Sequence, residues 1–291
     1  MTESQLTHAR VSTLTQIGTI TRYNFLNYFR ARRFYVMLAI ILLISGLLTV
    51  LVAYYRPASF VGGTGLAGAL GFYGAGWGSF ASFVIILSAA FFGGDAISGE
   101  FQNRTGYFLV PNPIRRSAIY VGKYLAALAA SSIILGVFAA IMIGNGLYYF
   151  PGSIPDQFLQ SIAFSWIYLI SVLSLAFAFS ALFKSSSISI LMSVILLLFV
   201  FSVIDTVSSA VVGIEPWYSI TYGAGIVSNV LQVPYPMHQT VVPVSTGGPG
   251  SRFRLTTWNA TIPEGLVILL VYFAVMAVIG LWLFQRKEFT S

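Results

Sequence analysis

Six stretches of this chain, near residues 34–55, 73–93, 122–149, 158–183, 187–213 and 265–284, are each long and apolar enough to cross a bilayer. A crossing needs roughly 20 residues at about 1.5 Å of rise each. Backbone amides in hydrocarbon bond only within their own segment, so each stretch must be a helix; none shows the short alternation of a barrel strand. The fold class that follows is all-α, a polytopic membrane protein with six transmembrane helices. Composition agrees, with 57% of 291 residues hydrophobic and 8% charged, where soluble domains carry about 25% charged residues. The mostly polar stretch 1–33 before the first span lacks the layout of a cleaved signal peptide.

The formal net charge of +7 would suit nucleic acid only if the basic residues shared one water-facing surface. They are instead distributed by membrane side. With a cytoplasmic N-terminus, the inner segments hold Arg10, Arg22, Arg30, Arg32, Arg33, Arg104, Arg115, Arg116, Lys123, Lys184, Arg286 and Lys287, twelve of the fifteen Lys and Arg. Only Arg56, Arg252 and Arg254 fall outside. The positive-inside rule then places both termini in the cytoplasm, the protein in the cell membrane, and its partners among lipids rather than nucleic acids. The expected organisation is a cytoplasmic N-terminus over 1–33, a six-helix membrane domain over 34–284 and a cytoplasmic tail over 285–291. An inner loop over 94–116 and an outer loop over 214–264 interrupt the membrane domain.

From Thr15 to Arg33, Ile17, Ile20, Tyr23 or Asn24, and Asn27 follow helical spacing, with Phe25, Leu26 and Phe29 widening the apolar side. The stretch reads either as a helix lying in the cytoplasmic interface or as a basic flank anchoring the first span. The inner loop carries Phe101, Tyr107, Phe108, Leu109 and Val110 where the chain should meet water or headgroups, and exposed apolar groups there ask for something to bury against. Asn112 followed by Pro113 is a helix start, which puts Arg115 and Arg116 in a first turn whose dipole disfavours cations. An external anion, lipid phosphate or a partner's carboxylates, is expected to offset them.

In the outer loop, Trp217 to Leu231 suggests a short interfacial or re-entrant helix. Pro234, Pro236, Pro243 and the run Gly247-Gly248-Pro249-Gly250 should then break regular structure. Asn259-Ala260-Thr261 is an N-glycosylation acceptor sequence on that side. Asp205 is the one charged residue well inside a span and lies near its outer boundary, where it could contact substrate, act in gating, or serve as an interfacial or helix-pair hydrogen-bond group. The sequence offers no catalytic residue, since His8 and His238 fall outside the spans and no base accompanies the buried serines. No cysteine is present and no metal-ligand spacing stands out, so neither a cysteine-type zinc site nor a metal of any kind is expected in this chain. Ser131, Ser132, Ser171, Ser174, Ser180 and Ser193 mark closely packed helix faces. A secondary transporter should show internal repeats and paired intramembrane ion ligands, and the chain has neither; that and a non-transporting scaffold are the alternatives.

The run Ile97-Ser98, Glu100, Arg104-Thr105-Gly106, Tyr107-Phe108-Leu109-Val110, Pro113-Ile114-Arg115-Arg116 and Gly122-Lys123 resembles the permease subunits of type-2 ABC transporters, mostly exporters. Arg104 and Gly106 depart from the family's Gly-Thr-Leu at that turn. The resemblance implies an N-terminal connecting helix and, in loop 95–116, a coupling helix that docks on a separate ATP-hydrolysing subunit. The docking residues would be Glu100, Phe101, Arg104, Thr105, Phe108, Leu109, Pro113, Arg115 and Arg116. ATP and magnesium would belong to that partner, because Gly122-Lys123 runs into Tyr124 and a membrane helix instead of forming a phosphate loop. A second copy or a related permease would complete the transporter. The spans carry few charges, which suits an amphipathic, lipid-like or hydrophobic cargo.

Overall fold

A computed structural model describes residues 12–55, 65–103, 115–152, 154–245 and 252–286. Helix α1 (Thr13–Arg30) has no buried residue and lies along the third span. It turns at Ala31 into α2 (Arg32–Tyr55), the first span. The second span is α3 (Gly65–Tyr73), a π turn (Gly74–Gly78) and α4 (Ser79–Gly93), and it runs on into the short α5 (Ser98–Gln102). Then come α6 (Arg116–Tyr149) and α7 (Asp156–Leu182). The fifth span is α8 (Ser186–Ile195), a π turn (Leu196–Val200), α9 (Phe201–Thr206) and a second π segment (Val207–Val212). Two short helices, α10 (Ile220–Ala224) and α11 (Ile226–Asn229), precede strands β1 (Gln239–Ser245) and β2 (Arg252–Trp258) and the last span, α12 (Ile262–Arg286). Six of these units are long and apolar enough to cross a membrane, so the architecture is that of an all-α polytopic membrane protein.

The second, third and fourth spans form the centre, and the first, fifth and sixth pack around them with broad apolar faces outward. Small and hydroxylated residues allow the close approach. Ser171 Oγ donates to the Leu269 carbonyl (2.7 Å), joining α7 to α12, and Ser174 Oγ donates to Tyr124 Oη (3.1 Å), joining α7 to α6. At the π turn, Trp77 stacks on Phe138 with ring centroids 5.4 Å apart. Its Nε1 donates to Ser161 Oγ (2.9 Å), which donates to the Val227 carbonyl (2.5 Å). The relay from the π turn through α7 to α11 seats the pair α10–α11 in the bundle.

One end of the bundle is the arginine-rich face, where Arg33, Asp95, Arg116, Ser186 and Gln285 meet; the other is the hairpin face. Three expectations change. The third helix starts at Arg116, with Arg115 extended (φ −68°, ψ 130°) before it, not at Asn112–Pro113, which lie outside the described residues. Only Arg116 therefore opens the helix, and its Nη1 donates to the Gln285 carbonyl (2.7 Å). That carbonyl is at the C-terminal, negative end of α12, so the chain itself supplies an acceptor where an external anion was expected. Regular structure also persists in loop 214–264: β1 and β2 form an antiparallel ribbon with Pro243 opposite Arg254. Proline is tolerated there because a two-stranded ribbon leaves each strand one free edge.

Candidate functional site

At the arginine-rich face, the stretch from Asp95 to Gln102 is held from every side. Gly93 ends α4, and the chain turns through Gly94–Ile97 so that the amides of Ile97 and Ser98 both reach Ser180 Oγ on α7 (2.9 Å each). Asp95 forms an ion pair with Arg33 at the start of α2 and accepts a hydrogen bond from Ser186 Oγ at the start of α8. Gln102 Oε1 accepts from the Ser186 amide (2.9 Å). Lys123 on α6 extends a nearly buried ammonium to Glu100 Oε1 (2.5 Å) and to the Ala96 carbonyl (2.8 Å). Tyr28 of α1 donates to the Phe92 carbonyl (3.0 Å). Burial pushes the Tyr28 phenol well above its ordinary pKa, and the charges of Asp95 and Glu100 push the same way, so it stays a donor. An open cavity of ≈ 730 Å³ lies between α1 and this stretch, lined by Tyr23, Asn24, Tyr28, Arg33, Asp95 and Glu100 among others. The chain from Phe92 into loop 95–116 is thus tied to four spans and the N-terminal helix.

A family model described as ABC-2 family transporter protein matches residues 19–289. The chain belongs to the ABC-2 transporter family. It is the membrane-spanning permease subunit of an ABC transporter, a multi-pass component of a kind that generally has no ATPase site of its own and typically works with an ABC ATPase subunit. No curated protein matches the chain significantly.

Of the residues expected to dock an ATPase, the structure places Glu100 under Lys123 and packs Phe101 against the permease's own core. Arg115 is exposed at the helix start and Arg116 reaches α12. Arg104, Thr105, Phe108, Leu109 and Pro113 lie outside the described residues. Sequence reasoning did not assign the roles of Tyr28, Arg33, Asp95 and Ser186. Their partners are distant in the chain, Ser186 and Asp95 by 91 positions, and no local spacing announces such contacts.

At the hairpin face of the permease, Asp205 turns toward the start of α10. Its Oδ2 accepts from Ser219 Oγ (2.8 Å) and from Thr221 Oγ1, and Ser219 caps α10 by accepting from the Thr221 amide. The carboxylate therefore ties the start of α10 to the fifth span. Asn259 Nδ2, the atom a glycan would need, donates to the Met237 carbonyl (2.9 Å), and the Asn259 amide donates to His238 O (2.8 Å). Beside them stand Glu215, His238 and Glu264. Tyr222 Oη donates to Glu215 Oε1 (2.8 Å). A hydrogen bond shared with Glu264 is the main influence holding the Glu215 carboxyl below its usual range; burial opposes it, while Tyr222 and His238 add to it. Thr261 sets the start of α12, since its amide donates to Glu264 Oε2 (3.2 Å) as in a capping box.

Proposed function

We propose that this permease is the membrane half of an ATP-driven exporter of an amphipathic, lipid-like or hydrophobic substrate. A separate ATP-binding subunit docks on loop 95–116 from the cytoplasmic side, and a second copy or a related permease completes the path. The observation that carries the reading is the anchoring of the loop's first part: Ser180, Ser186, Lys123 and Arg33 bind Asp95 to Gln102 to the fourth, fifth, third and first spans. A push on such a loop cannot be absorbed locally and must move helices, which is what coupling requires. The cargo class is supported by the spans themselves. Every charged residue in them, from Asp95 and Lys123 to Asp205 and Glu264, lies within about two turns of an end, so a route through the middle would be lined by aliphatic, aromatic and hydroxyl groups.

The test is co-purification. The permease would be co-expressed with its ATP-binding subunit, intact and as the double variant Phe108→Asp, Leu109→Asp. The intact pair should purify together and hydrolyse ATP. The variant should insert normally and lose the partner, because two buried carboxylates cannot be accommodated in an apolar groove. Full retention of the partner by a correctly inserted variant would remove the docking role from this loop.

A further inference from the structure

Glu215, His238 and Glu264 come from three separate segments. Glu215 follows the left-handed Gly213 (φ 77°) that ends the fifth span, His238 leads into β1, and Glu264 sits in the first turn of α12. One ligand-capable atom of each lies within 4.8 Å of the others. The orientation of the imidazole says more than the clustering does. His238 Nδ1 is 3.0 Å from the Asn259 carbonyl, which can only accept, so Nδ1 carries a proton and Nε2 is the ring nitrogen left to act as a ligand. Nε2 faces Glu215 Oε1 at 3.5 Å. That separation exceeds the 2.7–3.2 Å of an ordinary hydrogen bond. It matches the roughly 3.3–3.5 Å between two ligands that each stand about 2.0–2.2 Å from one four-coordinate zinc. A ring nitrogen and a carboxylate oxygen held face to face at that distance leave room for a metal ion between them.

We propose that the hairpin face holds one divalent transition-metal ion of the zinc class, bound by His238 Nε2 and the carboxylates of Glu215 and Glu264. Each ligand already has an orienting partner, as metal ligands require: the Asn259 carbonyl for His238, Tyr222 Oη for Glu215, and the Thr261 amide for Glu264. The imidazole favours zinc, nickel or copper over magnesium and calcium, which prefer all-oxygen cages. With the His238 side chain 41% exposed, the site is open to ions from the water side and leaves a position for water. The bound ion ties the segment after the fifth span, the hairpin and the last span into one cap.

The chain makes the test clean, for it has no cysteine and only two histidines, the other being His8. The full-length permease, carrying a histidine-free affinity tag and stripped of metal, would be dialysed against Zn²⁺ alone and its metal content measured. One zinc per chain should be retained by the wild type and by His8→Ala. His238→Ala, and the pair Glu215→Gln with Glu264→Gln, should lose it. Tyr222→Phe should weaken binding roughly tenfold, as loss of an orienting partner does. Equal zinc on wild type and His238→Ala, or less than one zinc on the wild type, overturns the site. Because a variant could misfold, Co²⁺ added to the wild type gives a second reading. Intense visible bands of low-coordinate Co²⁺ support the site, and the pale spectrum of the aquo ion overturns it.

Discussion

Lys123 is where the arginine-rich face has most to lose from a single change. Its ammonium, on a side chain only 8% exposed, neutralises Glu100 and satisfies the Ala96 carbonyl. In Lys123→Met both acceptors lose this donor at once, and the charge on Glu100, with 25% of its side chain exposed, loses its contact with the Lys123 ammonium. Glu100→Gln still offers an oxygen to Lys123. Removing the cation should therefore cost roughly 2 kcal/mol of stability and the amide substitution clearly less, as read by thermal unfolding of the purified permease. Equal losses would mean that the pair is only superficially coupled. The neighbouring Gly122 makes this geometry available: a Cβ there would meet Ile20 Cγ2 at 2.7 Å, so α1 can lie against α6 only over a glycine. The Gly122-Lys123 pair is visible in the sequence as a motif, but its reason is not, because Ile20 and Glu100 come from other elements.

At the scale of elements, the spans are legible because length and unbroken hydrophobicity leave a segment no other stable form in lipid. Short helices between Trp217 and Leu231 are legible too, though not their burial in the bundle, where Ile220 and Ile226 are fully covered. The hairpin is not: Pro243 and the glycine run argue against strands, and only the pairing of Gln239 with Trp258 through Ser245 with Arg252 overrides them. Nor are the π turns, which depend on what packs beside them; a Cβ on Gly76 would meet Met142 Cε at 2.3 Å. The seat of α10 against α12 rests on two facing glycines, since a Cβ on Gly265 would meet Ile226 Cγ2 at 2.4 Å and the Gly223 carbonyl at 2.8 Å. Gly265→Ala should push α10 and α11 off the last span at a cost of about 1–3 kcal/mol. Amide hydrogen exchange over residues 220–229 should quicken. Gly46→Ala, with nothing within 4 Å of the new carbon, should leave it unchanged and serves as the control. Slow exchange in both variants would show that α10 and α11 hold their place without that contact.

For the whole molecule, orientation decides whether the anchored loop can meet an ATP-binding subunit at all. An arginine or lysine at the middle of a crossing helix costs roughly 2.5–3.5 kcal/mol on insertion scales, and basic loops are retained on the cytoplasmic side. Twelve of the fifteen Lys and Arg belong to the segments assigned to that side, and anionic headgroups of the inner leaflet add attraction for the exposed Arg30, Arg32 and Arg115. The outer faces of the first, fifth and sixth spans carry large exposed apolar side chains such as Leu43, Phe199 and Val278, which fixes depth in the bilayer but not direction. Since the natural chain has no cysteine, one introduced thiol reports one position. A membrane-impermeant maleimide should label Thr257→Cys, exposed on β2, in intact cells. It should reach Asn27→Cys, exposed on α1, only after the membrane is opened. The reverse pattern would place the Asp95–Gln102 anchor away from cytoplasmic ATP, and the exporter reading would fail even if the zinc site on the hairpin face stood.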